Sequence, residues 1–458
     1  MISWVEVFQV LYSSTLQATL SAILSLALGF FVALGLLQQK NRKFVSIAEG
    51  VLLAPQVLPP LFLLLAFFKF FSFFDEIPSG FWGVVCLHVF INFGFASLQL
   101  KRLLQSKVGG FAELAQTEGA SALLFFKTVL TYLKKDLQAL FFTVFVFCFM
   151  SFSIPVVMGG LGSETLEVLI YKKMQQAGAM NWVLGLSLIQ FLILSLLGFY
   201  WRQSQQHVPS QARFYRFDYG SSHGLFSGLL VMLFFWSLML SGLWPGVQEL
   251  FSHEILKAQL PSALWGSLLL SLSTGFFTLI FLFSLAYYWP QEKLSQILFV
   301  ATTPSAVLIG LWFFALGWPA GDSSLHFLLT GGLLSALFFF SIYRFGAASE
   351  LEGLTQSVKV SASMGASRFF TFRWVSLPRL VKPFFFLAGL ASLWGVGEFA
   401  LSLFLLTPES HMTLLVKMLI SRYRIEMAIA VMWMAVLQGL ILFYFYRKVG
   451  HVLHQRLN

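Results

Sequence analysis

The sequence predicts an all-α polytopic membrane protein, with about eleven transmembrane helices in two repeats of the same orientation. Its composition, its apolar runs and an internal repeat support this class. The chain has 458 residues, of which 58% are hydrophobic and only 10% are charged. Soluble domains carry about 25% charged residues to cover their surface. The composition therefore excludes an ordinary soluble enzyme.

Eleven apolar runs have the length, about 20 residues, that crosses a bilayer as a helix. Lipid offers no partner to a free backbone N–H or C=O group, so each run is expected to be helical. A polar segment at 202–223 separates the first five runs from the last six. The runs lie at 11–37, 51–74, 81–104, 138–160, 180–201, 224–246, 261–288, 294–318, 324–343, 383–406 and 427–446.

The distribution of lysine and arginine predicts how the chain is oriented. Alternate connections and the C-terminal tail carry 22 of the 29 basic residues. Because basic loops stay on the cytoplasmic side, we expect the N-terminus outside and the C-terminus in the cytoplasm. The first run has no basic segment before it and no small-residue cleavage pattern, so we expect a retained span.

The chain repeats itself at an offset of 246 residues. Gly119-Ala120-Ser121 recurs as Gly365-Ala366-Ser367, and Val129 recurs as Val375. The segment from Ser14 to Ser25 resembles that from Ser262 to Ser273, at an offset of 248. Spans one to five thus match spans seven to eleven. The displacement of six spans is even, which predicts two parallel repeats.

The repeat predicts three parts of the chain. These are a first half at 1–201, a cytoplasmic linker at 202–223 and a second half at 224–458. Each half has a polar loop of nearly 40 residues, at 101–137 and at 344–382. Long loops with a pattern of their own are usually functional.

These loops carry the residues of a known motif. In the second, Gly365 is followed at fixed spacing by Val375, Leu377 and Pro378. In the first, Glu113 and Ala115 precede Gly119, and Val129 follows it. This resembles the cytoplasmic motif of bacterial ABC importer permeases: Glu-Ala-Ala, three residues, Gly, nine residues, Ile, one residue, Leu-Pro. Lys359-Val360-Ser361 replace Glu-Ala-Ala in the second copy, and Thr131-Tyr132 replace Leu-Pro in the first.

The resemblance implies a type I ABC importer permease fold, with each loop forming a short helix that docks in a groove of an ATPase subunit. The residues it implicates in coupling are Glu113, Ala115, Gly119, Ala120, Ser121, Val129, Gly365, Ala366, Ser367, Val375, Leu377 and Pro378. The glycines would allow a sharp turn or a close backbone approach. Pro378 is expected to end the segment and hold Leu377 extended.

The side chains near the motif suggest how the loops would dock. Five phenylalanines would be apolar anchors and four basic residues a polar rim. The anchors are Phe125, Phe126, Phe369, Phe370 and Phe372, and the rim is Arg368, Arg373, Lys127 and Lys134. An amphipathic helix lying on lipid headgroups is the alternative for the same mixture.

The resemblance also implies the partners: a separate ATPase, expected in two copies, a periplasmic binding protein and the bilayer, with no nucleic acid. Two halves in one chain are typical of the ferric-iron and thiamine importers. Several segments are closest to thiamine permeases, among them His88 to Asn92, Thr165-Leu166-Glu167, Gly397-Glu398-Phe399 and Ser421-Arg422-Tyr423-Arg424. Thiamine or its phosphates is the favoured substrate and ferric iron the alternative. The thiamine permeases have a further N-terminal span and an Asp in place of Glu398.

Glu398 lies within an apolar run, where a carboxylate is costly and usually faces a wet cavity or the protein interior. It is either a pathway residue for a cationic substrate, with Trp394 in a cation–π contact, or a structural hydrogen-bond partner near a kink. His88 and Asn92 lie one helical turn apart, and we expect them to hydrogen bond across helices.

Several function classes lack their motifs. The sequence has no Walker loop and no Gly-x-Ser-x-Gly elbow, so we expect no catalytic residues, cofactor or metal, and ATP hydrolysis in another subunit. An ion-coupled secondary transporter is the remaining alternative from another class. It would need several buried charges, whereas Glu398 is the one clear acidic residue inside a run.

Overall fold

The computed structural model describes residues 4–74, 79–159, 164–176, 179–204, 222–289, 305–317 and 320–457, which are overwhelmingly helical. The predicted all-α class is confirmed. The helices fall into two compact units, Met1–Ser241 and Gly242–Asn458. The division lies inside one helix, His223–Ser252, within the run predicted at 224–246.

The first unit is built from ten helices of the described residues, the last of them shared with the second unit. They are α1 (Trp4–Gln38), α2 (Arg42–Val57), α3 (Pro60–Phe71), α4 (Phe81–Thr117), α5 (Ala122–Tyr132), α6 (Lys134–Phe149), α7 (Ser153–Met158), α8 (Leu166–Met174), α9 (Met180–Ser204) and α10 (His223–Ser252).

The second unit continues with α11 (Glu254–Tyr288), α12 (Ala306–Ala315), α13 (Ser324–Ile342), α14 (Ala348–Ser363), α15 (Arg368–Thr371), α16 (Leu377–Val396), α17 (Ala400–Leu405), α18 (Met412–Ser421) and α19 (Ile425–Leu457). Two π-helical turns, Tyr343–Ala347 and Phe372–Ser376, join α13 to α14 and α15 to α16. Wider turns of this kind are common where a helix carries a functional site.

Six helical segments of the described chain are long and apolar enough to cross a membrane. A seventh is added if the bent pair α2 and α3 forms one span. The six are Trp4–Gln38, Phe81–Thr117, His223–Ser252, Leu256–Tyr288, Arg368–Val396 and Ile425–Leu457. Shorter apolar helices are Ala122–Tyr132, Met180–Leu196, Ser324–Phe338 and Met412–Ser421. The total of eleven spans stays a prediction.

The hydropathy predicted one continuous helix at 51–74, and this prediction is wrong. Helices α2 and α3 meet at an angle of 98°. Leu58, between them, is extended, with φ −77° and ψ 153°. A residue before proline is pushed out of the helical region, and Pro59 and Pro60 lack the N–H groups that a continuous helix needs.

Two further predicted spans are interrupted at positions that correspond in the repeat. The run at 138–160 contains the end of α6 at Phe149 and the start of α7 at Ser153. The run at 383–406 contains the end of α16 at Val396 and the start of α17 at Ala400. Apolar sequence continues on both sides of each break, so hydropathy alone did not reveal them.

The predicted polar loops are mostly helical. Helix α4 continues to Thr117, so it extends far into the loop predicted at 101–137. Helices α14 to α16 occupy most of the loop predicted at 344–382. Residues 205–221 of the predicted linker and 290–304, which include part of the run at 294–318, lie outside the described residues.

Within each unit, small residues allow long helices to approach closely. In the first, α1 packs along α4, and a Cβ added at Gly29 would lie 2.9 Å from the Ala96 Cβ. In the second, α11 packs along α13, and a Cβ at Gly331 would lie only 1.9 Å from the Ser273 Oγ. Such contacts hold helices together where lipid provides no hydrophobic drive for association.

In each unit one serine of a long helix, α1 in the first and α11 in the second, accepts a hydrogen bond from the start of a short helix. In the first unit the Leu166 N–H donates to the Ser14 Oγ at 2.9 Å, which caps the start of α8. In the second, the Met412 N–H donates to the Ser267 Oγ, also at 2.9 Å, at the start of α18. The offset of 248 residues pairs Ser14 with Ser262. In the structure, however, the residue that makes the same capping contact as Ser14 is Ser267.

Removing either buried serine hydroxyl should destabilise the protein. We expect Ser14→Ala and Ser267→Ala each to lower the free energy of unfolding by about 1–3 kcal/mol, because a buried backbone N–H loses its acceptor. Thermal unfolding of the purified protein in detergent measures this. Ser262 is exposed, so Ser262→Ala is the matched control and should lie within about 0.5 kcal/mol of the wild type. A larger loss at Ser262 than at Ser267 would contradict the assignment.

Candidate coupling elbows

The first Gly-Ala-Ser sequence joins α4 to α5 through a tight elbow. Gly119 has φ +68°. Its N–H donates to the Gln116 C=O at 3.1 Å, and the Ala120 N–H donates to the Ala115 C=O at 2.9 Å. This pair of bonds is the Schellman motif, which satisfies free carbonyls at a helix end. Ser121 then caps α5, its Oγ accepting from the Leu124 N–H.

The second Gly-Ala-Ser sequence builds the same elbow between α14 and α15. Gly365 has φ +79°. Its N–H donates to the Ala362 C=O at 3.0 Å, and the Ala366 N–H donates to the Ser361 C=O at 3.1 Å. The Ser367 Oγ accepts from the Phe370 N–H at 3.2 Å and caps α15. Each residue of the repeated triplet therefore has one local role: left-handed turn, backbone donor and helix cap.

The two glycines are needed for their backbone conformation and not for space. A Cβ added at Gly119 or at Gly365 would meet no atom within 4 Å. Of the two explanations offered by the sequence, the sharp turn is therefore the one that applies. A side chain in the left-handed region costs about 1–2 kcal/mol because its Cβ crowds the following carbonyl oxygen.

The remaining motif residues of the first elbow divide into exposed and buried ones. Glu113 is exposed, whereas Ala115 is half-buried at the edge of an apolar cluster. Val129 is inside that cluster. It packs with Phe125 and Leu133 of the same segment and with residues of α1 and α4: Leu34, Leu37, Leu103, Leu104, Val108 and Ala112. Val129 therefore holds α5 onto its own unit and does not face outward.

In the second elbow the predicted break at the proline is wrong. Leu377 is helical, with φ −57° and ψ −48°, and is not extended. Arg368–Val396 forms one helical segment that passes through the π-helical turn and Pro378. Proline is tolerated at the start of a helix because its missing N–H would have no partner there. Val375, Leu377 and Pro378 are half-buried, and the Pro378 C=O lies 2.8 Å from the His454 Nδ1.

Only two of the five predicted phenylalanine anchors point outward. Phe125 is buried, and Phe126 packs against Phe30 with ring centres 5.5 Å apart. Phe372 packs against Tyr287 at 5.6 Å. Phe369 and Phe370 are exposed, by 67% and 52%.

The sequence interpretation missed other exposed apolar side chains beside the two glycines. Leu123, exposed by 82%, and Leu124 stand at the repeat positions of Phe369 and Phe370. We define elbow surface 1 as Leu114, Leu123 and Leu124, and elbow surface 2 as Val360, Met364, Phe369, Phe370 and Trp374, all exposed. The offset of 246 would have located both leucines, had it been applied to the anchors as well as to the motif.

The predicted basic rim is present on the described surface. Lys127, Lys134 and Arg368 are exposed. Arg373 lies over the ring of Trp374, 5.2 Å from its centre. A guanidinium over an indole face is a favourable cation–π contact, so Arg373 also holds Trp374 in its exposed position.

Glu398 lies in the break between α16 and α17 and makes a helix cap. Its Oε1 accepts from the Leu401 N–H at 2.9 Å, and its C=O accepts from the Thr413 Oγ1 at 2.9 Å. Trp394, one turn earlier, packs its ring against Phe338 at 5.5 Å. These contacts support the structural role of Glu398; its role in the pathway stays a prediction.

The predicted hydrogen bonds of His88 and Asn92 across helices are confirmed. The His88 Nδ1 pairs with the Gln17 Nε2 of α1, and the Asn92 Nδ2 is 3.5 Å from the Cys148 Sγ of α6. Both residues are buried. They link α4 to two neighbouring helices of the first unit.

The sequence interpretation missed a fully buried acidic residue in the first unit. Glu167 of α8 is buried, and its Oε1 accepts a 2.5 Å hydrogen bond from the Gln190 Nε2 of α9. Short helix α8 has no hydropathy signal of its own, so the sequence offered no reason to place Glu167 inside the protein. The repeat position of Glu167 is Thr413, which contacts Glu398 in the second unit.

The loop after α18 contains a tyrosine in a position that normally requires glycine. Tyr423 has φ +57° and is exposed by 88%. The Arg424 N–H donates to the Leu419 C=O at 2.9 Å, which makes the loop a third Schellman motif. Arg424 is ion-paired with Glu249 at 2.6 Å. The strained backbone thus presents an exposed tyrosine beside an exposed arginine, Arg422.

Comparison with known proteins gives one family. Residues 25–206 match the family described as binding-protein-dependent transport system inner membrane component. This segment is about two fifths of the chain and contains the first elbow. The match supports an inner-membrane permease of an ABC importer and, with the candidate spans, a multi-pass inner-membrane protein. No curated protein and no solved structure matches the chain.

Replacing glycine by alanine should change the stability of the protein in opposite directions at the elbows and inside the helices. Gly119→Ala and Gly365→Ala should each destabilise the protein by about 1–2 kcal/mol, since alanine is strained in the left-handed region. The controls are Gly110 and Gly353, which lie within α4 and α14 with nothing within 4 Å of an added Cβ. There, alanine should stabilise by about 0.5–1 kcal/mol, because glycine is poor inside a helix. Thermal unfolding in detergent measures all four, and equal effects would contradict the elbow geometry.

Two substitutions at Glu398 separate its hydrogen bond from its charge. Glu398→Gln keeps an oxygen that can accept from the Leu401 N–H, so stability should be unchanged. Glu398→Ala removes the cap and should cost about 1 kcal/mol. The melting temperature checks both, with Ser402→Ala as control, because that change removes a hydroxyl bonded to the Glu398 C=O and leaves the carboxylate in place. Equal losses for Gln and Ala would show that the carboxylate does more than cap α17.

Proposed function

We propose that this protein is the permease subunit of an ABC importer, with two permease halves fused in one chain. The observation that carries the proposal is the repeated elbow. Two Gly-Ala-Ser triplets, 246 residues apart, build the same turn and helix cap with exposed apolar side chains beside them. The first elbow lies within the segment that matches the permease family.

The element order supports two halves, at 1–201 and 224–458. In each half a long helix, α1 or α11, is followed, later in the chain, by an elbow, an interrupted helix and a short helix. That short helix is capped by Ser14 in one half and by Ser267 in the other. A repeat of this kind is the usual basis of alternating access, in which the halves move around a central path.

The two elbows are proposed to face the cytoplasm and to dock on a separate ATPase, present as two subunits. Exposed apolar side chains at the end of a helical bundle need a partner when they are not in lipid. The residues proposed to build this coupling site are those of the motif, among which Val129 acts from inside by holding α5 in place. The N-terminus is proposed to be periplasmic and the C-terminus cytoplasmic.

A periplasmic binding protein is proposed to deliver the substrate to the opposite face. Tyr423 and Arg422 are candidate contacts for it, since exposed aromatic and arginine side chains are typical of interface anchors. Glu398 and Trp394 are the candidate pathway residues. Thiamine or its phosphates is the proposed substrate, on the resemblance of sequence segments, and ferric iron is the alternative.

The importer mechanism and the ion-coupled alternative make opposite predictions for uptake. In proteoliposomes, the permease should transport labelled substrate only with its ATPase, the binding protein and internal ATP. Uptake by the permease alone, driven by an ion gradient, would contradict the proposal. Comparing labelled thiamine with labelled ferric iron, each with the cognate binding protein, decides between the two substrates.

A coupling variant completes this experiment. Gly365→Asp should abolish substrate-stimulated ATP hydrolysis and transport while leaving membrane insertion intact, because it strains the elbow and adds a charge beside elbow surface 2. Gly353→Asp, on the exposed side of α14, is the control and should retain both activities. Normal transport by Gly365→Asp would remove the elbow from the coupling mechanism.

A further inference from the structure

The two elbows share a backbone but present different apolar side chains. Elbow surface 1 consists of three leucines, whereas elbow surface 2 has two phenylalanines, a tryptophan, a methionine and a valine. Aromatic side chains bury more apolar area than leucine and dominate the energetics of interfaces. The exposed aromatic residues beside the first elbow, Phe111 and Tyr132, pack on each other with ring centres 5.9 Å apart, so elbow surface 2 is the stronger potential anchor.

The charges beside the elbows are opposite in sign. From 113 to 132 the charged residues are Glu113, Glu118 and Lys127, with a net charge of −1. The corresponding stretch from 359 to 378 contains Lys359, Arg368 and Arg373, with a net charge of +3. Lys359 stands at the repeat position of Glu113, so the charge is reversed at one equivalent point.

Neighbouring charges do not remove this difference. Near the first elbow, Lys107 is paired with Asp136 at 2.8 Å and Lys101 with Glu49 at 2.6 Å, so these lysines are neutralised within the unit. Extending both stretches by four residues to include the exposed Lys134 keeps the difference, since 113–136 has a net charge of 0 and 359–382 has a net charge of +5. Near the second, Glu350 and Glu352 lie two or more helical turns before Lys359, and Arg379 binds the Ser357 hydroxyl at 3.1 Å.

We propose that elbow surface 2 docks in an apolar groove of the ATPase that is rimmed by acidic residues, and that it provides most of the docking affinity. This rests on the proposed function. Three positive charges around exposed aromatic side chains fit a partner surface of that chemistry, because complementary charge speeds encounter and fixes orientation. Elbow surface 1, which is smaller and slightly acidic, binds the same kind of groove more weakly.

One consequence concerns an ATPase made of two identical subunits. Each subunit then presents the same groove to a different elbow, and the acidic rim attracts one elbow and repels Glu113 and Glu118 of the other. Docking is expected to be unequal, with one firmly held ATPase subunit and one that is released more readily. Ionic strength should weaken the first contact more than the second.

The test measures binding of the full-length permease, in nanodiscs, to its cognate ATPase at low and at physiological salt. Lys359→Glu combined with Arg368→Glu should weaken binding by about tenfold or more at low salt and reduce its salt dependence. Glu113→Lys, the opposite change at the first elbow, should instead strengthen binding at low salt, because it replaces a repelled charge by an attracted one. Stronger binding by the Lys359 and Arg368 variant would overturn the acidic groove.

A second pair of variants tests the apolar anchors. Phe369→Ala with Phe370→Ala should weaken binding by about tenfold or more, and Leu123→Ala with Leu124→Ala by clearly less. These side chains are exposed, so size-exclusion profiles of the variants should match the wild type. Equal losses for both pairs would overturn the unequal docking and leave the proposed function intact. If neither pair affects ATPase binding, the elbows do not dock on the ATPase, and both proposals fail.

Discussion

The requirement that each backbone hydrogen-bonding group find a partner inside the protein governs where these helices begin and end. A helix that starts within a bundle has N–H groups that neither lipid nor the helix itself can satisfy. Here side chains provide the acceptors: Ser14 for Leu166, Ser267 for Met412 and Glu398 for Leu401. The short helices α8, α17 and α18 depend on these three side chains for their position.

The elbows apply the same chemistry to a helix end. Two carbonyls at the end of α4 are bound by the N–H groups of Gly119 and Ala120, and those of α14 by Gly365 and Ala366. The elbow is local, because it involves only a few consecutive residues. For that reason the Gly-Ala-Ser triplets alone were enough to locate it in the sequence, even though each copy of the longer motif departs from the family pattern.

Other parts of the fold could not be predicted because their causes are not local. The class and most helices follow from apolar runs, and the break at Leu58 has a local cause in Pro59 and Pro60, but the break between Val396 and Ala400 lies within an apolar run and contains no proline. The sequence also did not reveal which apolar side chains point into the protein and which point outward. In the segment Leu124-Phe125-Phe126 all three residues are apolar, and only the packing of α5 on α1 and α4 makes Phe125 inward and Leu124 outward. The prediction that Pro378 ends the helical segment was wrong because the wider π-helical turn before it accommodates the proline within a continuous helix.

The tightness of the elbow also determines how movement passes through the protein. Between α4 and α5 only Glu118 to Ser121 intervene, and the backbone on either side is tied to its own helix. Because this connection is short and hydrogen-bonded on both sides, it has little freedom to flex when α5 is displaced. A displacement of α5 would therefore be passed on to α4, whose 37 residues form a rigid lever about 55 Å long at 1.5 Å per residue. In the proposed coupling mechanism, a displacement of a few ångströms at the elbow would be carried along this helix across the full thickness of a bilayer.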